Sequence, residues 1–150
     1  MCIRDRHTRL KRLDAGVRAC MDRVPASERK LVTSHDALGY FASRYGITVI
    51  GAVIPALTTA AQPSAGDVAD LMATIRREGV KTIFAESSVN PKVEAAIARE
   101  TGARIGPALW ADSLGPKGSS GATYIGSIEA NARALVQGFS GGAVDCPVDA

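Results

Sequence analysis

The chain has 150 residues, 46% of them hydrophobic and 22% charged, which is typical of one globular domain. This composition excludes a disordered chain, a coiled coil and a disulfide-rich scaffold, and no apolar run reaches the roughly 18 residues that a membrane-spanning helix needs. The net charge of +3 comes from residues 1–30, where nine Lys and Arg accompany four Asp and Glu. Because no aromatic residues are interleaved with this basic segment, we expect a solvated helix face and no nucleic-acid partner.

The chain opens with a predicted helix. Leu10, Leu13, Val17 and Met21 recur at helical spacing and form one apolar stripe, which predicts a helix over residues 8–24 that ends at Pro25. We expect residues 1–7, which precede the stripe, to be disordered.

Four strand–helix units follow the first helix. β-Branched and apolar runs predict strands at 30–33, 47–54, 82–85 and 104–109. Helical apolar spacing predicts helices at 38–45, 64–78, 91–101 and 124–139, the third with Val93, Ala96 and Ile97 facing inward. We expect loops at 55–63 and 115–121, the latter mobile, and a disordered tail over residues 140–150.

Strands that alternate with helices predict a parallel sheet with right-handed crossovers. The near-continuous apolar strands agree, since such strands are covered on both faces. The fold class is therefore α/β, a four-stranded parallel sheet with flanking helices, and we place its body at residues 25–139.

Three side chains able to bind a metal or move a proton follow strand ends. His35 lies just past the first predicted strand, Glu86 ends the third, and Asp112 follows the fourth. Ligands of open α/β sheets bind beyond the carboxyl ends of the strands, so these groups are expected to converge. Structural roles remain open at this point: His35 could cap a helix, Glu86 could pair with a basic residue, and Asp112 could make a turn.

Two other motifs, a hydrolase-like one and a glycine-rich loop, lack the sequence context that their chemistry requires. The GxSxG match at residues 138–142 follows a predicted helix, whereas a nucleophile elbow needs a strand before it. The glycine-rich loop at 115–121 contains neither of the phosphate-binding patterns GxxxxGK[ST] and GxGxxG. No base–nucleophile pair is visible, so we expect no enzyme. The three cysteines show no CxxC spacing and do not fix the redox compartment, and no secretory signal is apparent.

Several segments carry a family resemblance. In order, they are LVTSHDALGYF at 31–41, IFAESSVNPK at 83–92, ARETGA at 98–103, ADSLG at 111–115, and residues 124–131. Their order and spacing resemble the C-terminal lobe of the zinc- and manganese-binding solute-binding proteins of ABC importers, over about residues 10–139.

The resemblance implies a function and a ligand set. In this family two lobes joined by one long helix hold a metal ion between them, so residues 8–24 match the end of the connecting helix. The positions that match metal ligands are His35 and Asp112, and Glu86 matches a residue expected to support the ligands without binding the metal. The imidazole ligand favours Zn²⁺, with Mn²⁺ as second choice.

The resemblance also implies partners that the chain does not contain. The N-terminal lobe and its two histidines have no counterpart, so we expect a fragment that carries half of the metal site. The full-length protein would be periplasmic or extracellular and membrane-anchored, and would deliver its ion to the membrane permease of an ABC importer. The alternative is a stand-alone flavodoxin-like α/β domain that binds a small anion or nucleotide at the same sheet edge.

Overall fold

The computed structural model describes residues 3–54, 63–87 and 91–148. Five helices and four short strands alternate along these ranges, and their bounds are α1 Ile3–Met21, β1 Lys30–His35, α2 Gly39–Tyr45, β2 Thr48–Ile54, α3 Ala65–Glu78, β3 Thr82–Ile83, α4 Lys92–Thr101, β4 Arg104–Ile105 and α5 Tyr124–Phe139. A single 3₁₀ turn, Ala26–Glu28, links α1 to β1. Within the described ranges, none of the helices is both long and apolar enough to cross a bilayer.

The strands are parallel, as predicted, but they do not form one regular four-stranded sheet. β1 pairs with β2, β3 pairs with β4, and a bridge between Thr33 and Phe84 joins the two pairs. The second pair is short, and its register shifts by one residue after Gly106. Gly106 N–H donates to Ile83 O, and the next bond to this segment runs from Leu109 N–H to Ala85 O. A later bridge between Glu86 and Leu109 resumes the pairing close to the expected site. The α/β class is therefore confirmed, in the form of two two-stranded sheets.

The ends of several helices are set by residues within or next to each helix. Ser64 and Asp67 form a reciprocal capping box at the start of α3. The helices α2, α3 and α4 each end at a glycine in the left-handed conformation, where a side chain would be strained. Of the loop predicted at 55–63, residues 55–62 lie outside the described residues.

Two apolar clusters cover the strands. The larger one joins α1 and α5 to the sheet, and its Phe84 and Phe139 rings meet edge to face with centroids 5.7 Å apart. The smaller one packs α3 and α4 against the buried residues Val32 and Ile83. An ion pair fixes α1 to α2, with Arg44 donating to both carboxylate oxygens of Asp14 at 2.7 and 2.6 Å.

Three expectations require correction. Residues 3–7 are helical, because α1 begins at Ile3 and continues the same helix without a break. Val93 is exposed and Glu94 is buried, so the inward face of α4 is rotated from the predicted one. The segment after α5 is packed, because a disulfide joins Cys146 to Cys20 of α1 and Val148 is buried.

Candidate metal site

His35 ends β1 at the carboxyl edge of the strands. The strand is buried from Leu31 to His35 because the two apolar clusters cover its faces while β2 and the Phe84 segment flank its edges. The exposed fraction of His35 is 1%. A buried imidazole needs partners for both ring nitrogens. Here both nitrogens face carboxylates: Nδ1 lies 2.6 Å from Glu86 Oε2, and Nε2 lies 3.3 Å from Asp112 Oδ1.

Glu86 is held beneath the imidazole. Its backbone forms the bridge to Leu109, and its carboxylate oxygen Oε1 accepts a hydrogen bond of 2.9 Å from the backbone N–H of His35. Burial raises the pKa of the Glu86 carboxyl, and the hydrogen bond and the charge of His35 partly oppose that rise. Among the described residues, the side chain that lies against the Glu86 carboxylate is the imidazole of His35, and no Lys or Arg is paired with it.

Asp112 approaches His35 from the solvent side. It lies on the loop after β4, and 48% of its side-chain surface is exposed. One candidate ligand atom from each of His35, Glu86 and Asp112 lies within 4.8 Å of the other two. The predicted convergence of these three residues at one edge of the sheet is therefore what the structure contains.

A second buried carboxylate lies behind this group. Ser34 Oγ donates to Glu94 Oε1 of α4 at 2.5 Å and accepts a hydrogen bond of 3.2 Å from the backbone N–H of Glu86. Both Ser34 and Glu94 are buried. Sequence reasoning missed Glu94, although its spacing to Ile97 and Ala98 at i+3 and i+4 places it on the apolar face of α4.

The loop that carries Asp112 is closed on an aromatic ring. Trp110 Nε1 donates to Ser120 Oγ at 3.2 Å, and Gly115 N–H donates to Gly121 O at 2.8 Å. A Cβ atom at Gly115 or Gly121 would lie 2.6 or 2.2 Å from the indole ring, so only glycine fits at these positions. The indole ring thus occupies the space between the two glycines, and the loop is folded around it.

The GxSxG match is part of a helix end. Ser140 follows α5, where its hydroxyl donates to Gln137 O and accepts from the backbone N–H of Val144. Its side chain therefore stabilises a turn, in agreement with the absence of a preceding strand.

A groove opens beside the three-residue group. Its volume is about 830 Å³, and its walls come from α1, α2, α5 and the loop of Asp112. The lining includes the apolar side chains Leu38, Phe41, Tyr124 and Ile128. Asp112 thus lines the groove and is partly exposed, whereas His35 and Glu86 are enclosed by protein.

The chain matches a known family and several known proteins. The model of the family described as zinc-uptake complex component A periplasmic (ZnuA) matches residues 4–138. This match starts earlier than the expected residue 10 and includes His7. The zinc-binding protein TroA of Treponema pallidum is 39% identical over 132 residues, which are 85% of this chain and 42% of TroA. The manganese-binding lipoprotein MntA of Bacillus subtilis is 34% identical, over 85% of this chain and 43% of MntA.

Two further similarities agree with this match. The metal ABC transporter substrate-binding lipoprotein SloC of Streptococcus mutans is 26% identical over 88% of this chain and 42% of SloC. The solved structure of the periplasmic zinc-binding protein TroA superimposes with a TM-score of 0.84 and 35% identity, over 91% of this chain and 50% of that one. The chain thus spans less than half the length of the curated relatives it matches. By both its sequence and its fold, the chain belongs to the zinc-uptake complex component A family.

Proposed function

We propose that the chain contributes two ligands, His35 Nε2 and Asp112 Oδ1, to the capture of a divalent metal ion for delivery to an ABC importer. The observation that carries this proposal is the distance of 3.3 Å between these two atoms at the solvent edge of the site. Zn²⁺ binds imidazole nitrogen and carboxylate oxygen at roughly 2.0–2.2 Å in tetrahedral geometry, which puts two ligand atoms about 3.4 Å apart. An ion would therefore fit between the two atoms with little movement.

Glu86 acts on the metal site through His35. A carboxylate beside one ring nitrogen of a ligating histidine fixes the orientation of the ring and makes the other nitrogen a better ligand. Glu86 contacts Nδ1 and the backbone N–H of the same residue, so it holds the imidazole with Nε2 turned toward Asp112. Its enclosed position makes it a support for the ligand rather than a ligand.

We propose Zn²⁺ as the ion, with Mn²⁺ as second choice. A nitrogen ligand beside a carboxylate suits zinc, whereas manganese favours sites richer in oxygen. The names of the relatives include both metals, zinc for TroA and manganese for MntA. The role is capture and release, and the histidine faces two carboxylates rather than a nucleophile.

The remaining ligands would come from a second lobe. Two protein ligands leave most of the coordination sphere to water, so the 150-residue chain by itself is expected to bind zinc weakly. In the two-lobe arrangement, the groove beside Asp112 faces the other lobe, and the joined lobes present the ion to the membrane permease of the importer. The curated relatives are more than twice as long as the matched region, which supports this arrangement.

A periplasmic or extracellular, membrane-anchored location belongs to the same proposal. Two observations support it: the relatives MntA and SloC are named as lipoproteins, and Cys20 and Cys146 form a disulfide. Disulfides persist in oxidising compartments and are rare in the cytosol. Sequence reasoning drew nothing from the cysteines because 126 positions separate this pair.

Calorimetric titration of the chain with Zn²⁺ tests the ligand assignment. We expect His35→Ala and Asp112→Ala each to abolish measurable binding, and Glu86→Gln to weaken it by about 10-fold or more. His7→Ala is the matched control, because His7 is an exposed histidine on α1, and it should bind zinc like the unchanged chain. Submicromolar binding that persists in His35→Ala would contradict the assignment.

The alternative function, anion or nucleotide binding at the same edge, is not favoured. It requires the loop at 115–121 to order around a phosphate, and that loop is folded on the ring of Trp110. A thermal-shift comparison tests the point, because nucleotides without metal should leave the melting temperature unchanged.

A further inference from the structure

We propose that Asn131 is a positioning residue for the metal site, because its side-chain amide fastens the loop that carries Asp112 and thereby holds that carboxylate opposite His35. The inference rests on the proposed function, in which Asp112 is a metal ligand. It adds a residue of α5 that does not touch the ion.

The amide of Asn131 binds both backbone polar groups of Trp110. Its Oδ1 accepts from Trp110 N–H at 2.9 Å, and its Nδ2 donates to Trp110 O at 2.7 Å. The exposed fraction of Asn131 is 2%, so water does not compete for these bonds. One side chain thus replaces the pair of hydrogen bonds that a neighbouring strand would supply.

The two hydrogen bonds between Asn131 and Trp110, here called the clamp, lie between the end of the sheet and Asp112. Leu109 is the last residue in the region that the strands hold, with backbone bonds to Ala85 O and from Ser87 N–H, both of 2.9 Å. Trp110 comes next and is held by Asn131, and Asp112 follows two residues later. The clamp therefore extends the rigid part of the chain by one residue toward the ligand.

Asp112 has little other support. Residues 112–114 are exposed, and the polar contact of the Asp112 side chain in the described part of the chain is with His35. The rest of the loop folds on the indole ring of Trp110, as described above. Since Trp110 itself is fixed by Asn131, the position of the whole loop depends on this amide.

Zinc titration of Asn131→Leu tests the proposal, because leucine has a similar volume and forms neither hydrogen bond. We expect the zinc affinity to fall about 10-fold, the lower end of what loss of an outer-shell partner costs. Thr82→Val is the matched control: it removes a buried 2.9 Å bond from a hydroxyl to Gly138 O of the same helix but touches no residue of the loop. Its zinc affinity should match that of the unchanged chain.

A double-mutant cycle separates positioning from general destabilisation. If Asn131 acts through Asp112, then adding Asn131→Leu to Asp112→Ala should not shift the His35 imidazole resonances of the metal-free chain beyond the shifts seen in Asp112→Ala alone. Additional shifts in the double variant, or an unchanged zinc affinity in Asn131→Leu, would overturn the proposal. Should the leucine variant not fold, Asn131→Asp keeps the shape and the acceptor, loses the donor to Trp110 O, and should weaken zinc binding in the same direction.

A metal-free measurement separates this inference from the proposed function. Asp112→Ala removes the carboxylate beside His35 Nε2 and should shift the imidazole resonances of His35 in NMR spectra of the folded chain. Asn131→Leu should produce the same shifts and Thr82→Val should not. If His35→Ala leaves zinc binding intact, the proposed function fails, but the NMR comparison still decides whether Asn131 positions Asp112; unchanged His35 resonances in Asn131→Leu would refute it.

Discussion

The disulfide between Cys20 and Cys146 is expected to supply a large part of the stability of this domain. It joins the last turn of α1 to the segment after α5 and closes a loop across a sequence separation of 126. For a loop of this length, the entropy lost by the cross-linked unfolded chain corresponds to about 5 kcal/mol, and measured values are typically about 2–4 kcal/mol. We therefore expect its removal to lower the free energy of unfolding by about 2–5 kcal/mol.

The segment after α5 should respond locally as well. Arg23 donates to Asp145 O at 3.0 Å, and a Cβ atom at Gly16 would lie 3.0 Å from Val148 Cγ1, which shows how closely Val148 packs on α1. These contacts hold residues 143–148 against the helix only while the ends stay together. Without the disulfide, we expect faster amide hydrogen exchange in this segment than in the rest of the domain.

The assay is guanidinium unfolding followed by circular dichroism. Cys2→Ser serves as the reference, since it removes the third cysteine without touching the bond, and is compared with the same chain that also carries Cys20→Ser and Cys146→Ser. The unfolding slope should rise without the disulfide, because the unfolded chain becomes less compact. A stability difference below about 1 kcal/mol, with unchanged exchange in residues 143–148, would refute the reasoning.

Three further predictions concern the packing around the site. Asp14→Asn should lower the free energy of unfolding by about 1 kcal/mol near neutral pH. The hydrogen bond from Arg44 lowers the pKa of Asp14 below 3.8, so this stabilisation is complete above pH 3.8 and is lost as the pH falls further. Chemical denaturation in acid should therefore find no difference between the variant and the unchanged chain. Ser34→Ala should lower the free energy of unfolding by about 3 kcal/mol, because it leaves a buried carboxylate and a buried N–H without their shared partner; a loss below about 0.5 kcal/mol would show that water replaces the hydroxyl. Gly138→Ala should lower the free energy of unfolding by about 2–3 kcal/mol, since its Cβ would lie 2.2 Å from the Phe84 ring. Gly66→Ala is the control: the nearest atom to its Cβ would be 3.6 Å away, so this variant should melt at or above the temperature of the unchanged chain.

Short-range chemistry made much of the secondary structure predictable. The bounds of α5 and the capping box of α3 follow from residues a few positions apart, and so do the glycine ends of three helices. The same local signals could not identify the inward face of α4, because a buried Glu94 looks like a surface residue until its partner Ser34 is known. The tail was misjudged for a similar reason, since its packing depends on a cysteine 126 positions away.

The sequence by itself determined the α/β class, the order of the elements and the three residues at the strand ends. Apolar periodicity, and the residues that follow each strand, are local features that can be seen in short stretches of sequence. Only the tertiary structure decided which of these residues supports the histidine and which one lies opposite its Nε2 atom. It places Glu86 in the protein interior against Nδ1 of His35, and it sets the partly exposed Asp112 opposite Nε2 of the same buried ring. It also brings Asn131 to the backbone of Trp110. These relations depend on which elements pack together, and packing is set by the whole core rather than by any one segment.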